Sequence, residues 1–402
     1  MPDRLKPRDA KDVEDAVGWA LAEGKTLEIV GQGSKRGIGR PSQSDVTLDL
    51  SALAGVTLYE PEELVLSARA GTAMNEIERL VAQANQELAF EPADYGLLLN
   101  GTLGHGTIGG VLASNLSGPR RIKAGAARDH FLGMSAVSGR GETFKSGGRV
   151  VKNVTGYDLC KLMAGSFGTL SVMTEVTIKT LPRAETETTV LLTGLDDQRA
   201  ARAMTDAMGS SCDVSGAAHF PAAVAARMAE LAGERPVTMF RLEGVAPSVA
   251  HRSRALTALL KGYGAAETID AEMSKGLWRT IRDVRLFAGD SGPVWRVSTA
   301  STNGFAVASA AAQAGGTYFF DWAGGLIWIA MPPSDDAGNA VLRPAVAEAG
   351  GHATLIRAPA AIRAAVPVFD PQDAGVAALT QRVKTSFDPK GILNPGRMWP
   401  GV

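Results

Sequence analysis

The stretch GTLGHGTIGGVLASNLSGPRR, residues 101–121, opens the segment 101–182 that decides how this chain folds. Glycines recur through the segment instead of clustering at one turn, and glycine lets a backbone approach a ligand closely or adopt positive φ. The small-residue run 111–116 predicts a short helix, and the β-branched run 172–180 predicts a strand. Taken alone, the segment also fits a glycine-rich β protein with many turns.

A second glycine loop lies upstream, GQGSKRG at residues 31–37, directly after the apolar run 27–30 that predicts a strand. Successive backbone N–H groups in such a turn form a nest for anions, and Ser34, Lys35 and Arg36 add donors and positive charge. This arrangement favours a diphosphate. A Rossmann fingerprint needs a third glycine and a helix after it, but position 36 is Arg and more glycines and a proline follow.

The two loops together resemble the flavin-binding domain of the vanillyl-alcohol oxidase / p-cresol methylhydroxylase (PCMH) superfamily. The run FDPKGILNPGR at 387–397 resembles the tail motif of the D-2-hydroxyacid dehydrogenase branch. Four further motifs narrow the resemblance to the FAD-binding subunits of bacterial glycolate oxidases: SGPRR at 117–121, AGAARD at 124–129, KNVTGYDL at 152–159 and LMAGSFGTL at 162–170. The resemblance covers residues 1–182 and 366–402 well and the middle more loosely.

The resemblance implies an α+β fold in three parts. They are a PCMH-type FAD-binding domain at 1–182, an α+β cap domain at 183–365, and a C-terminal helix and tail at 366–402 that packs back on the FAD domain. The residues agree with this division, because 402 residues exceed what one core usually supports. Strands alternate with helices after residue 183, with a hairpin at 323–325, which is a ferredoxin-like pattern. No internal sequence repeat is apparent.

The cofactor implied by the resemblance is FAD, held without a covalent bond because the first loop lacks the His that covalent relatives use. In the family the first loop holds the diphosphate and the T-I-G-G segment lines the flavin. Asn394 and Arg397 follow proline-limited turns, which the family places against the flavin ring; a surface turn is the alternative. The residues assigned to the cofactor are Gly31, Gln32, Gly33, Ser34, Lys35, Arg36, Gly37, Gly106, Thr107, Ile108, Gly109, Gly110, Ser114, Gly118, Gly125, Asp129, Val172 and Asn394.

The sequence says less about substrate binding than about the cofactor, and it does not identify the catalytic residues. Relatives of this branch carry a His-rich metal motif late in the cap, whereas the corresponding stretch here, YFFDWAGGLIW at 318–328, has no His. The five histidines are scattered, so no metal site is predicted. Arg279, Arg282 and Arg296, near Trp278 and Trp295, are candidates for clamping a carboxylate, with Arg–Trp packing as the alternative.

The resemblance implies a subunit of a complex that oxidises glycolate to glyoxylate, with D-lactate as a further substrate. Its partners would be a paralogous catalytic FAD subunit and an iron–sulfur subunit that passes electrons to an acceptor such as quinone. The chain alone is expected not to be the subunit that oxidises the hydroxyacid. Two alternatives stay open: a self-sufficient FAD-dependent D-2-hydroxyacid dehydrogenase, and a scaffold of the same complex that has lost its cofactor.

Composition narrows the partners and the compartment. The formal net charge of −1 gives no electrostatic case for nucleic acid. Two cysteines without metal spacing favour a reduced, cytoplasmic setting. The first residues lack the apolar core of a cleavable signal, and no apolar run is long enough for a transmembrane segment. Peripheral attachment at the inner face of the plasma membrane, through the partners, is the alternative.

Overall fold

The computed structural model describes residues 3–149, 156–228, 231 and 235–402. Residues 152–155 of the KNVTGYDL motif therefore lie outside the described residues. The chain divides into two compact units. The first unit comprises Met1–Ser117, Gly125–Arg183 and Pro367–Val402, and the second comprises Gly118–Ala124 and Ala184–Val366.

Strands and helices alternate through most of the chain. The strands are β1 (Asp3–Leu5), β2 (Leu27–Val30), β3 (Val46–Asp49), β4 (Val56–Glu60), β5 (Val65–Arg69), β6 (Gln86–Glu87), β7 (Phe131–Ser138), β8 (Thr143–Gly147), β9 (Ser171–Lys179), β10 (Leu181–Pro182), β11 (Thr186–Thr193), β12 (Gly216–Phe220), β13 (Val237–Gly244), β14 (Ala266–Ile269), β15 (Val294–Ser298), β16 (Thr317–Asp321), β17 (Leu326–Ala330) and β18 (His352–Arg357). The α-helices are α1 (Ala10–Ala22), α2 (Met74–Gln83), α3 (Ile108–Ser114), α4 (Arg121–Ala124), α5 (Leu159–Met163), α6 (Asp197–Met208), α7 (Ala222–Ala225), α8 (Ala246–Leu259), α9 (Ala271–Arg282), α10 (Gly304–Gln313), α11 (Asn339–Glu348), α12 (Ala360–Ala365) and α13 (Ala374–Phe387).

The first unit contains a small parallel sheet, β1-β3-β2, and a five-stranded antiparallel sheet, β4-β5-β9-β7-β8. One face of the five-stranded sheet packs on α2 and α3, through buried residues such as Leu66, Val176 and Ile77. The parallel sheet has its own apolar core, to which α1 contributes Val13 and Val17. Both glycine loops leave from the ends of elements anchored in these two cores.

Helix α1 shows how the sequence fixes the parallel sheet. Its N-terminus is capped by Asp9, whose side chain accepts a hydrogen bond from the backbone N–H of Asp12. Val13, Val17 and Ala20 recur at helical spacing and are fully buried. The helix ends before Gly24, which has φ +61°, and the chain then enters β2. Strand β2 is therefore held rigidly where the first glycine loop begins.

The second unit is built around an eight-stranded antiparallel sheet with the order β14-β11-β13-β12-β16-β17-β15-β18. It consists of two β-α-β-β-α-β modules, each ferredoxin-like, and they are joined edge to edge between β12 and β16 at His219 and Phe320. The hairpin predicted at 323–325 connects β16 to β17. The repeat is structural and has no counterpart in the sequence, so the absence of a sequence repeat did not exclude it.

Two glycines in the first unit give a matched test of the packing. A Cβ on Gly71 would lie 1.9 Å from the carbonyl oxygen of Leu50, a backbone atom that cannot move aside, whereas a Cβ on Gly18 would meet nothing within 4 Å. Gly71→Ala should lower the free energy of unfolding by at least about 2 kcal/mol. Gly18→Ala, in the exposed middle of α1, should raise it by about 1 kcal/mol. Urea denaturation measures both, and a neutral Gly71→Ala variant would contradict the packing described.

Candidate functional site

The two glycine loops meet at one cleft inside the first unit. A Cβ on Gly31 would lie 2.4 Å from Oγ1 of Thr107, so the loops can touch only because position 31 has no side chain. The cleft encloses about 540 Å³ of space, counting the part that is open to solvent. Its lining residues are Glu28, Ile29, Val30, Gly31, Gln32, Gly33, Ser34, Lys35, Arg36, Thr107, Gly110, Ala113, Ser114, Phe167, Asn394 and Arg397.

The first loop lines the cleft with residues 31–36. Gly33 has φ +79°, and the turn closes through a hydrogen bond of 3.2 Å from the Arg36 N–H to the Gly33 carbonyl. Within the described part of the chain, the backbone N–H groups of residues 32–35 donate to no other residue. Consecutive unpaired N–H groups of this kind form an anion-binding nest.

The two basic side chains of this loop have different environments. Arg36 folds back onto Glu28 in β2, where its Nε donates to Oε1 at 3.0 Å and its Nη2 pairs with Oε2. The hydrogen bond with Glu28 raises the pKa of Arg36. Arg36 stays charged, but its charge is balanced by Glu28. Lys35 is therefore the basic side chain that the loop offers to an anion.

The Lys35 ammonium is poorly compensated. Its Nζ lies 3.5 Å from Oγ of Ser34, and the carboxylate whose charge acts on it is Asp94. Burial lowers the pKa of Lys35 from 10.5 to about 8, and Asp94 reverses only part of this shift. A bound anion would favour the charged form and raise this pKa again. The position and the titration of Lys35 thus both favour a phosphate-bearing ligand.

The second loop is held by short-range bonds. Oγ1 of Thr107 accepts the Gly110 N–H at 3.3 Å and caps α3, and Oγ of Ser114 donates to the Gly110 carbonyl at 2.7 Å. Gly109 serves packing instead, because a Cβ there would lie 2.8 Å from the carbonyl oxygen of Ala70. Thr107, Gly110 and Ser114 line the cleft, whereas Gly109 lies behind it.

The C-terminal tail completes the cleft with Asn394 and Arg397. The Asn394 amide is bonded at both ends to the protein: Oδ1 accepts the Ile29 N–H at 2.8 Å, and Nδ2 donates to the Phe167 carbonyl at 2.7 Å. Nη2 of Arg397 donates to the carbonyls of Lys35 and Arg36 at 3.0 and 3.1 Å. Both side chains therefore brace the walls of the cleft, in addition to lining it.

The remaining residues assigned from the sequence lie outside the cleft lining. Gly118 belongs to the second unit, where its carbonyl accepts the Trp322 Nε1–H at 3.0 Å. Asp129 accepts the Ala126 N–H within its own turn, and Val172 is fully buried in the core beneath the parallel sheet. The complete set outside the lining is Gly37, Gly106, Ile108, Gly109, Gly118, Gly125, Asp129 and Val172.

Several lining residues were absent from the sequence-based assignment. Glu28, Ile29 and Val30 belong to β2, which carries no glycine signal, and only the strand preceding the loop hinted at them. Phe167 has φ +52°, uncommon for an aromatic residue, and its ring packs edge-on against Phe369 at 5.3 Å. No sequence signal identified that conformation.

The three arginine candidates do not form one clamp with their neighbouring tryptophans. Arg279 is exposed and its Nε donates to the Lys275 carbonyl of its own helix, while Arg282 pairs with Asp283 at 2.8 Å. Arg296 lies over the ring of Trp322 at 4.8 Å. The tryptophans named with them have other partners, because Arg241 lies over Trp278 and Arg343 lies over Trp295.

With the geometry in place, comparisons with known proteins identify the family. Residues 4–147 match the FAD binding domain family, and residues 371–398 match the C-terminal domain of FAD linked oxidases. The glycolate oxidase subunit GlcE of Escherichia coli (strain K12) is 33% identical over 386 residues, which are 96% of each chain. This chain belongs to the GlcE family. It is an FAD-binding oxidoreductase chain, as the resemblance implied.

Two further proteins are similar to this chain, one in sequence and one in structure. The glycolate oxidase subunit GlcD of Bacillus subtilis (strain 168) is 39% identical over 100 residues, which are 25% of this chain and 21% of that protein. A structure of p-cresol methylhydroxylase with substrate bound superposes with a TM-score of 0.74 at 13% identity, over 98% of this chain and 88% of the other. The second likeness confirms the predicted PCMH-type α+β fold.

The residues of the cleft fit the diphosphate part of FAD. Bare backbone at Gly31 and Gly33, the nest of N–H groups and the partly desolvated Lys35 are what an anion of this kind requires. Among the described residues, no group of three or more His, Cys, Asp or Glu side chains could hold a metal ion. The helices found in that same part of the chain are all too short or too polar to cross a bilayer.

The lowered pKa of Lys35 predicts how FAD binding depends on pH. Below pH 8 the ammonium is charged already, and above pH 8 a proton must be taken up for it to pair with the diphosphate. The affinity for FAD should therefore fall as the pH rises from 8 to 9.5, by up to about ten-fold per unit. Calorimetric titration in two buffers of different ionisation enthalpy counts the proton taken up.

Lys35→Met is the control for this prediction. The variant should bind FAD more weakly at pH 7 and should show a much flatter profile between pH 7 and 9.5. A wild-type affinity that is equal at pH 7 and 9, or a slope that survives in Lys35→Met, would contradict the role given to this ammonium.

Proposed function

We propose that this chain is the FAD-binding subunit of a glycolate-oxidising complex, in which glycolate becomes glyoxylate and D-lactate is a further substrate. The observation that carries the proposal is the likeness to the E. coli GlcE subunit over 96% of both chains. Oxidation of the 2-hydroxyacid removes one hydride from the α-carbon and one proton from the hydroxyl. FAD, when bound, supplies a two-electron acceptor that can also release electrons singly.

The proposed seat of the cofactor is the cleft of the first unit. The nest at residues 32–35 and the Lys35 ammonium would bind the diphosphate, and Thr107, Gly110 and Ser114 would line the cofactor on the other side. Asn394 and Arg397 would act mainly by holding these walls, since their polar atoms already bond to protein groups. Of the assigned residues outside the lining, Gly109 would act through its packing against Ala70.

The proposed partners are a paralogous FAD subunit that oxidises the hydroxyacid and an iron–sulfur subunit that carries electrons to an acceptor such as quinone. In this scheme the present chain would pass electrons and would not itself take the hydride. Support comes from the arginine candidates, which are engaged with Lys275, Asp283 and Trp322. The chain would lie in the cytoplasm or, through its partners, at the inner face of the plasma membrane.

A flavin spectrum tests the function against its two rivals. The purified chain, after addition of FAD and removal of the excess, should show the visible absorbance bands of a flavoprotein. Glycolate or D-lactate should leave these bands unchanged in the isolated chain and should bleach them once the partner subunits are present.

The three outcomes are distinct. A chain that stays colourless after FAD addition would favour the cofactor-free scaffold and would overturn the proposal. Bleaching of the isolated chain by glycolate or D-lactate would favour the self-sufficient dehydrogenase instead. Acetate, which has the carboxylate but no hydroxyl to oxidise, is the control for non-specific changes in the spectrum.

Substitutions at two glycines of the first loop test whether this loop binds the diphosphate of FAD. Gly33 has φ +79°, where an L-residue is strained, and a Cβ there would lie 3.4 Å from Cδ of Arg36. Gly33→Ala should weaken FAD binding by roughly ten-fold, because strain of about 1–2 kcal/mol would shift the free loop towards other conformations that cannot bind the diphosphate.

Gly37→Ala is the matched control. Its φ is ordinary and its Cβ would lie 3.7 Å from a methyl group of Leu99, so FAD binding should stay within about two-fold of the wild type. Quenching of FAD fluorescence measures both dissociation constants. Equal affinities for Gly33→Ala and the wild type would place the diphosphate elsewhere.

A further inference from the structure

We infer that Lys384 and Asp388, which lie outside the cleft lining, are positioning residues that set the geometry of the first glycine loop for FAD. The inference rests on the proposed function, because it concerns the same cofactor seat. According to this inference, a buried ion pair near the tail contributes to diphosphate binding. It acts through a chain of hydrogen bonds that lies within the first unit.

The ion pair lies at the end of α13 and is almost fully buried, with 2% of each residue exposed. The Lys384 ammonium donates three hydrogen bonds: to Oδ2 of Asp388 at 2.7 Å, to the Thr169 carbonyl at 2.6 Å and to the Leu393 carbonyl at 2.9 Å. An ammonium has three protons to donate, so its capacity is filled. Lys384 thus joins the segment before β9 to the tail.

The Asp388 carboxylate shapes the turn that follows the helix. Its Oδ1 accepts the Ile392 N–H at 3.0 Å, and its Oδ2 accepts the Leu393 N–H at 2.8 Å. The carboxylate lies against the bare backbone of Gly139, where a Cβ would lie 2.4 Å from Oδ1. Residues 388–393 therefore have little freedom to take another conformation.

The fixed turn then pairs with β2. The Leu27 N–H donates to the Ile392 carbonyl at 2.7 Å, and the Asn394 N–H donates to the Leu27 carbonyl at 2.9 Å. Oδ1 of Asn394 continues this pairing by accepting the Ile29 N–H. The tail thus forms a parallel bridge with the edge of β2 between Leu393 and Leu27, and β2 leads directly into the first glycine loop.

The same tail reaches the loop through Arg397. Its guanidinium holds the carbonyls of Lys35 and Arg36, and its own carbonyl accepts the Arg40 N–H at 2.8 Å. A Cβ on Gly39 would lie 2.9 Å from Nε of Arg397, so position 39 leaves room for this side chain. By binding loop carbonyls on one side, Arg397 helps to leave the N–H groups of the nest for a ligand on the other.

Stability alone does not explain a buried ion pair at this position. Removing both charges of such a pair is often neutral or stabilising, because desolvation offsets the attraction between them. The geometry points to a positional role instead, since the pair connects the Thr169 segment, the tail and, through the tail, the loop. Its removal should therefore affect diphosphate binding more than folding.

The test uses the full chain with Lys384→Met/Asp388→Asn, which removes both charges and keeps similar shapes. The dissociation constant for FAD should rise at least ten-fold, and competition by ADP, which has the diphosphate but no flavin, should weaken by a similar factor. Competition by riboflavin, which lacks phosphate, should stay within two-fold. The thermal midpoint of the cofactor-free protein should fall only modestly, because the Thr169 and Leu393 carbonyls lose a donor but no unpaired charge is left behind.

Two further variants complete the design. Arg382→Met removes an exposed cation from the same helix and should leave all three affinities unchanged. Asp388→Asn alone keeps the Lys384 ammonium bonded to the Thr169 and Leu393 carbonyls, and it decides the question if circular dichroism shows the double variant to be unfolded. It should reproduce the selective loss for FAD and ADP.

Three results would overturn the inference. FAD affinity of the double variant within two-fold of the wild type would show that the pair does not act on the loop. Equal losses for riboflavin and ADP would indicate general loosening of the fold. A wild-type chain that binds no FAD would overturn the proposed function as well, whereas the first two results leave that function intact.

Discussion

The pairing of the tail with β2 is the interaction on which the rest of the first unit depends. Residues 392–394 exchange backbone hydrogen bonds with Leu27, and the Asn394 side chain extends the pairing to Ile29. Strand β2 has β3 on one side, and the tail supplies hydrogen-bond partners on the other. Because the first glycine loop begins where β2 ends, the orientation of its N–H groups is set by contacts from the far end of the sequence.

The tail also joins parts of the unit that are separate in the chain. Nδ2 of Asn394 binds the carbonyl of Phe167, whose N–H in turn binds the carbonyl of Ala113 in α3. A Cβ on Gly168 would lie 2.8 Å from this same Nδ2, so the glycine makes the contact possible. The Asn394 amide thus connects two walls of the cleft. An amide can do this because it both donates and accepts hydrogen bonds.

The sequence was most informative where backbone chemistry is the signal. Bare glycines followed by basic residues identified the first loop, and Thr107 with its glycines identified the second, because glycine leaves room that no other residue leaves. The sequence was least informative where side chains choose among partners. Arg36 could have faced a phosphate, yet it pairs with Glu28 on the preceding strand, a choice that depends on three-dimensional proximity.

The second unit shows the same limit at the level of the fold. Its hairpin was predictable from glycines between two strongly apolar strands, but β12, with the sequence GAAHF, has few of the residues that favour strands. That strand is stabilised by its neighbours, since it pairs with β13 along its whole length and meets β16 at His219. The pairing of β12 with β16 joins the two ferredoxin-like modules into one sheet, and the amino-acid composition of β12 does not predict it.

The charge distribution around the cleft follows from these constraints. Of four cations in or near the cleft, three are committed to specific acceptors: Arg36 to Glu28, Arg397 to loop carbonyls, and Lys384 to Asp388. Lys35 is the exception among these four, with a single long contact to a hydroxyl and a pKa lowered by burial.

A cation in that state destabilises the protein without its ligand, because it has lost water without gaining an equivalent partner. Binding of an anionic group would reverse this loss, and the nest beside it would fix where that group lies. The loop is therefore arranged for a ligand that brings negative charge to the N–H groups, and a diphosphate meets that requirement better than a neutral ring or a single carboxylate does.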